Sequence, residues 1–108
     1  MMDVLSNDEL KCSQAILGLY HVYDPEIGLN VVDLGLIYKI AFDEQNKFIE
    51  AEMTLTSQFC PMGESIITDV TQSLSRTFTG YQVDVNLTFD PPWSPENISA
   101  EGRRFLDS

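Results

Sequence analysis

The sequence predicts an α+β domain in which helices pack on one face of a small mixed β-sheet. Apolar residues recur at helical spacing in some segments and alternate with polar residues in others. The order along the chain is helix, strand, strand, helix, strand, helix, which packs most simply as helices laid over a sheet. At 108 residues the chain has the length of one domain, so residues 1–108 are expected to share one core.

A first helix is predicted from about Asn7 to Tyr20. Ser6 followed three residues later by Glu9 has the form of a capping box. The segment 24–28 ends the helix, because a residue before proline avoids helical angles and glycine permits a turn. This loop carries two carboxylates. The apolar face of the helix is formed by Cys12, Ala15, Ile16 and Leu19.

A hairpin is predicted next, with a polar turn at residues 43–47. The first strand has an apolar side, and a second alternating run begins at Phe48. Strand side chains alternate, so Thr54 and Thr56 are expected to share a face that leads toward Cys60. The apolar side of the first strand consists of Leu36, Tyr38, Ile40 and Phe42.

A second helix is predicted to follow Cys60. Pro61 suits the first position of a helix, and Gly80 suits its end, so Cys60 is predicted to be the N-cap. The residues at helical spacing are Ile67, Val70, Thr71, Leu74 and Phe78.

A third strand is predicted from Tyr81 to Phe89, and a short terminal helix follows it. Apolar and polar residues alternate through the strand, which ends at residues 90–93. Ser94 and Pro95 then suit the N-cap and first position of the last helix. That helix carries Ile98, Phe105 and Leu106.

The composition argues against several classes of partner. Six basic and seventeen acidic side chains give a net charge of -11, and clustered positive charge, which nucleic-acid binding requires, is absent beyond Arg103 and Arg104. No apolar run reaches the roughly 20 residues of a membrane span, and no signal-peptide pattern is present. We therefore expect a cytoplasmic protein with no nucleic-acid or membrane partner. The acidic surface suits basic patches on other proteins, or serves solubility alone.

Cys60 is the strongest candidate for chemistry. An N-cap position would place its sulfur near free backbone N–H groups and the positive end of the helix dipole, which favour the thiolate. Glu64, one turn later, would oppose that effect, and a cysteine that merely fills space is the alternative. Cys12 lies on an apolar stripe and is expected in the core, without a disulfide. His21 follows a helix end and needs no catalytic role there.

Carboxylates and hydroxyls could accompany this cysteine. Asp24, Glu26 and Asp33 could supply oxygen ligands or a general base. Asp33 could equally bond nearby backbone in an Asx turn. Thr54 and Thr56 could line the pocket of Cys60, or serve only as strand formers.

Four motifs in order carry a resemblance to a known family. They are Asp24-Pro25-Glu26, Asp33-Leu34-Gly35-Leu36-Ile37, Thr54-Leu55-Thr56 with Cys60-Pro61, and Asp90-Pro91-Pro92-Trp93. In this order and spacing the sequence resembles the SufT and PaaD-like family of iron–sulfur assembly factors. PaaD-type relatives add a cysteine-bearing extension after the last helix, and its absence here favours the SufT-like role.

The resemblance implies a fold similar to the C-terminal domain of NifU-type proteins and a non-catalytic role in maturing iron–sulfur enzymes. It places the family's reactive cysteine at Cys60. Because a cluster is normally held by about four thiolates, Cys60 is expected to bind metal either as one temporary ligand during transfer from a carrier to a client, or together with the Cys60 of a second protomer and outside ligands such as small thiols. The expected partners are iron–sulfur carrier or scaffold proteins and client apo-proteins, and a homodimer could pair two copies of Cys60. The alternatives are a metal-free adaptor or, less favoured, a Cys60 thiol enzyme. The implied accompanying positions are Asp24, Glu26, Asp33, Thr54 and Thr56.

Overall fold

The computed structural model describes residues 4–56 and 63–107. Cys60, and with it the predicted N-cap and the Pro61 helix start, lies outside these residues. The helices are α1 (Glu9–Leu19), α2 (Gly63–Thr77) and α3 (Ala100–Asp107), and Pro95–Asn97 form a 3-10 turn. The strands are β1 (Leu5–Ser6), β2 (Tyr23–Asp24), β3 (Leu29–Asn30), β4 (Ile37–Asp43), β5 (Phe48–Met53) and β6 (Gln82–Leu87).

The main sheet has the strand order β1-β4-β5-β6 and is mixed, as predicted. β4 and β5 form the antiparallel hairpin, whereas β1 with β4 and β5 with β6 pair in parallel. Because directly paired residues share a face, one face carries Ile40, Phe42, Ile49 and Ala51, which are all buried. The opposite face is acidic and carries Lys39, Glu50, Glu52 and Asp84.

Two helices cover the apolar face of this sheet. α1 contributes Cys12, Ala15 and Leu19 to the core, and α2 contributes Ile66, Val70 and Leu74. The two helices approach closely at Gly18, where a Cβ would lie 3.0 Å from the hydroxyls of Ser73 and Thr77. The α+β class with helices on one face is thus the observed fold. Among the described residues, no helix has the length and apolarity to cross a bilayer.

The capping-box prediction for the first helix is wrong. The N-cap is Asp8, whose side chain accepts a hydrogen bond from the Lys11 backbone N–H at 3.1 Å. Ser6 instead belongs to β1, opposite Ile40. The Asn7 side chain bonds both the N–H and the carbonyl of Phe42, at 2.9 and 2.8 Å, so it extends the strand edge by one position. The helix can begin only after this contact.

The predicted alternation in the first strand of the hairpin is broken by a β-bulge. Ile37 pairs with Met53 and Lys39 with Glu52, so Tyr38 is an extra residue. Ile37, rather than Tyr38, therefore shares the face of Ile40. A bulge depends on the partner strand, which is why a single-strand pattern did not reveal it.

The predicted terminal helix is divided into two pieces. Ser94 caps only the 3-10 turn, with its Oγ accepting from the Glu96 N–H, and the chain becomes extended at Ile98. α3 then starts afresh with Ser99 Oγ accepting from the Gly102 N–H at 3.0 Å. Ile98 is buried as expected, but Phe105 and Leu106 are largely exposed.

Two short pairings were not predicted from the sequence. β1 adds an edge strand ahead of α1, and β2 with β3 forms a small antiparallel pair within the carboxylate loop. Each strand has two residues, which is too few to show an alternating pattern.

Candidate functional site

Backbone hydrogen bonds connect the acidic loop, which follows α1 and carries Asp24 and Glu26, to the carboxyl end of β5. The Val31 N–H donates to Val22 O at 2.9 Å, the Leu36 N–H donates to Val31 O at 3.1 Å, and the Thr54 N–H donates to Leu36 O at 2.8 Å. Asp24 lies two residues after Val22, the first residue in this series of hydrogen bonds, and Thr54 is the last residue in it. The fold therefore brings two of the sequence-predicted segments to one end of the sheet.

Thr54 is completely buried at this end, where the strand pattern had predicted only a shared face with Thr56. Its hydroxyl oxygen has no hydrogen-bond partner among the described residues. The neighbouring phenol of Tyr38 donates to the Pro91 carbonyl at 2.9 Å. The pKa of Tyr38 is raised above that of a free phenol, mainly by burial, and the nearby Thr54 and Asn97 side chains offset part of this rise. Thr54 and Asn97 therefore lie beside the Tyr38 phenol.

Asp24 is the most unusual of the predicted carboxylates, because only 1% of its surface is exposed. One oxygen accepts a hydrogen bond from the Glu26 backbone N–H at 2.9 Å. Its other oxygen, Oδ2, has no partner within the described part of the chain. Buried polar atoms are normally satisfied, so this carboxylate oxygen is a candidate for binding a ligand. The Glu26 side chain is exposed beside it.

Asp33 has a different environment, since both of its oxygens are engaged. Oδ2 accepts from the Asn30 amide at 2.6 Å, and Oδ1 accepts from the Ser99 hydroxyl at 2.6 Å. The Ser99 N–H also donates to the Asp33 carbonyl at 2.8 Å. Because Ser99 caps α3 through Gly102, this carboxylate fastens the last helix to the loop after β3.

The remaining predicted residues flank the path from β5 to α2. Thr56 is half-buried just beyond the end of β5. Gly63, at the start of α2, packs closely on Leu55, and a Cβ added to Gly63 would lie 2.7 Å from the Leu55 Cδ1. The β5 end and the start of α2 are therefore in contact, and Cys60 belongs to the six residues between them, which the structure does not describe.

Cys12 is the one cysteine among the described residues, and it is a buried free thiol. Burial raises its pKa, which disfavours the thiolate that binds iron. Within residues 4–56 and 63–107, no three His, Cys, Asp or Glu side chains are placed to hold a metal ion. Among the described residues, the oxygen Oδ2 of Asp24 is a predicted donor atom that is left without a partner.

Three residues near the site were not identified from the sequence. Tyr38 was predicted as an apolar strand residue, and its role depends on the bulge. Asn97 is buried with its Nδ2 unpartnered in the described structure, and Ser99 is the helix cap. A Ser followed by an acidic residue in the first helical turn, here Glu101, is a helix-start signal that could have located Ser99, whereas no local signal marks Asn97.

Comparison with known proteins gives a consistent result. The model of a family described as iron–sulfur cluster assembly protein matches residues 14–89, a span that includes the acidic loop, β5 and α2. A Staphylococcus aureus (strain USA300) protein named Fe–S protein maturation auxiliary factor SufT is 40% identical over 78 residues, which are 72% of this chain and 88% of that protein. A Porphyromonas gingivalis (strain ATCC BAA-308 / W83) protein named Fe–S protein maturation auxiliary factor is 37% identical over 98 residues, covering 90% and 92% of the two chains.

Solved structures of similar sequence have the same fold. A domain of unknown function, DUF59, from Bacillus anthracis superposes with a TM-score of 0.85 at 36% identity, over 92% of this chain and 93% of that one. A conserved hypothetical protein from Thermotoga maritima gives a TM-score of 0.74 at 35% identity, with both chains covered completely. The family match covers most of the chain, and the curated relatives are similar over nearly their whole length. This chain therefore belongs to the iron–sulfur cluster assembly protein family.

Proposed function

We propose that this chain assists the maturation of iron–sulfur proteins by providing Cys60 as a transient ligand to a cluster in transfer. Membership of the family supports the general role, as do the maturation-factor names of two relatives. The proposed role is accessory rather than catalytic. Its partners are an iron–sulfur carrier or scaffold protein and a client apo-protein, in the cytoplasm.

One structural observation supports the inclusion of Asp24 and Thr54 in the proposed site. Asp24 and Thr54 were both selected from the sequence, both are buried, and each keeps an oxygen without a partner among the described residues. Burying a polar atom in this way costs free energy, so these two oxygens, in segments joined by backbone hydrogen bonds, support a role for both residues in the proposed site. Glu26 and Thr56 adjoin them.

Asp33 has a supporting place in this proposal. Its carboxylate positions the loop and α3 through Asn30 and Ser99, and its direct contact with cargo stays a prediction. A cluster is normally held by about four thiolates, and Cys60 is one. The cargo is therefore shared, either with a carrier or client protein or with the Cys60 of a second protomer.

Anaerobic reconstitution with iron and sulfide tests whether Cys60 takes part. We expect wild type to retain iron and visible absorption after desalting, and Cys60→Ser to lose both, because a hydroxyl is a poor ligand for cluster iron. Cys12→Ala is the matched control and should retain iron, since Cys12 is a buried core residue. Equal iron in wild type and Cys60→Ser would contradict the proposal. Iron in neither would favour a metal-free adaptor or a Cys60 that binds the cluster only during transfer, and the rate of cluster transfer to a client would separate these two.

A further inference from the structure

The solvent-facing side of α1 differs from that of its neighbour α2. Leu10 and Leu17 are 72% and 67% exposed, seven residues apart on the side of α1 opposite the core, and Tyr20 is 39% exposed beside them. We call these three residues the α1 ridge. The exposed positions of α2 are all polar, as in an ordinary surface helix, and they include Glu64, Thr68, Asp69, Gln72 and Arg76.

The α1 ridge adjoins a groove. Ser13 lies between Leu10 and Leu17 on the helix surface, and it also lines a cavity of about 430 Å³ between α1 and the β1 segment. Leu5, which is 67% exposed, forms the other wall. An apolar ridge beside a groove is the surface on which an amphipathic helix packs.

The charges around the α1 ridge determine which helix fits. Residues 10–22 contain no Asp or Glu in a chain with seventeen of them. Lys11 is engaged with Asp8 and Glu44. Acidic groups lie at both ends of the ridge. Asp8 and Glu9 are at its start. At its other end, the pKa of Tyr20 is raised mainly by burial and further by the nearby negative charges of Asp33 and Glu101. An uncharged centre with a charged rim is typical of a protein interface.

We propose that the α1 ridge and its groove dock an amphipathic helix of a partner protein, with apolar residues on one face and Lys or Arg on its flanks. A second copy of this chain fits poorly, because two α1 ridges in contact would bring acidic rim against acidic rim, with a net charge of -11 on each chain. Leu10, Leu17 and Tyr20 are not among the residues assigned to the cluster-handling role, so the proposal goes beyond that role.

Binding of a fluorescein-labelled helical peptide made only of leucine and lysine, with leucine at positions i, i+3, i+4 and i+7, tests this surface by anisotropy. We expect Leu10→Gln/Leu17→Gln to weaken binding about tenfold or more, because the apolar contact is lost while the net charge is kept. Leu87→Gln, at an exposed leucine of β6, should bind like wild type. Glu9→Gln/Glu101→Gln should also weaken binding, and Glu64→Gln on α2 should have less effect.

Two results would overturn the proposal. Equal affinity of wild type and Leu10→Gln/Leu17→Gln would mean that the peptide responds to net charge alone. A wild-type dimer in sedimentation that becomes monomeric in the double variant would assign the ridge to a second copy. Cys60→Ser should bind the peptide like wild type, so failure of the docking proposal and failure of the cluster-handling proposal are distinguishable.

Discussion

Gly35→Ala is expected to lower the free energy of unfolding by about 3 kcal/mol. Gly35 has a φ of 74°, a conformation that residues with a Cβ adopt with strain. A Cβ there would also lie 2.7 Å from the Cβ of Asn97 and 2.9 Å from its carbonyl carbon, and backbone atoms cannot move aside as a flexible side chain can. Urea denaturation followed by circular dichroism measures the change.

Gly28→Ala is the matched control for this substitution. Gly28 has a similar φ of 81°, but a Cβ there would meet nothing within 4 Å among the described residues. Its cost should be that of the backbone conformation alone, about 1 kcal/mol. Equal losses in the two variants would contradict a close contact between the Gly35 loop and the Asn97 turn. A larger loss at Gly35 would support the close contact between Gly35 and Asn97.

Asp24→Asn is expected to slow client maturation about tenfold while leaving stability within about 1 kcal/mol of wild type or raising it. Asparagine keeps an oxygen for the Glu26 N–H and removes a charge that is 1% exposed. It also removes the second carboxylate oxygen, which the proposed site uses as a ligand or base. The measurements are urea denaturation and the rate at which an apo-ferredoxin acquires its cluster from a loaded carrier.

Asp33→Asn provides the opposite pattern as a control. Both Asp33 oxygens accept hydrogen bonds, so asparagine would replace the carboxylate that accepts from the Ser99 hydroxyl and lose a charge-assisted hydrogen bond, at a cost of about 1–3 kcal/mol. Maturation by the folded Asp33→Asn protein should stay close to wild type. If Asp24→Asn destabilised the protein and left maturation unchanged, its free oxygen would be a structural feature and not part of a site.

The sequence predicted the fold well where one pattern extends over many residues. The hairpin, α2 and β6 were each predicted from five or more positions of one period. Burial follows the predicted pattern most closely in β5, where Ile49, Ala51 and Met53 are buried, and at Val70 and Leu74 of α2. The prediction failed where a contact from elsewhere in the chain decides the local structure. Asn7 bonds Phe42 and delays α1, and Ser99 bonds Asp33 and divides the terminal helix.

The site could be predicted only in part for the same reason. Side-chain chemistry and motif order led to the choice of Asp24 and Thr54. Backbone hydrogen bonds join the segments that carry them, and each has an oxygen without a partner among the described residues. The same reasoning predicted Asp33 as a site residue alongside Asp24, because the sequence cannot show that Asn30 and Ser99 donate hydrogen bonds to both Asp33 oxygens. Tyr38 was missed since a bulge in β4 changes its direction, and a bulge is a property of two strands.

The rate of cluster acquisition by an apo-ferredoxin, with a loaded carrier and this chain present or absent, tests the central claim most directly. Wild type and Cys12→Ala should accelerate acquisition equally, and Cys60→Ser should return the rate to that without the chain, because the transient thiolate ligand is lost. Acceleration by Cys60→Ser equal to that of wild type would contradict a role for this cysteine and would leave the chain as an adaptor.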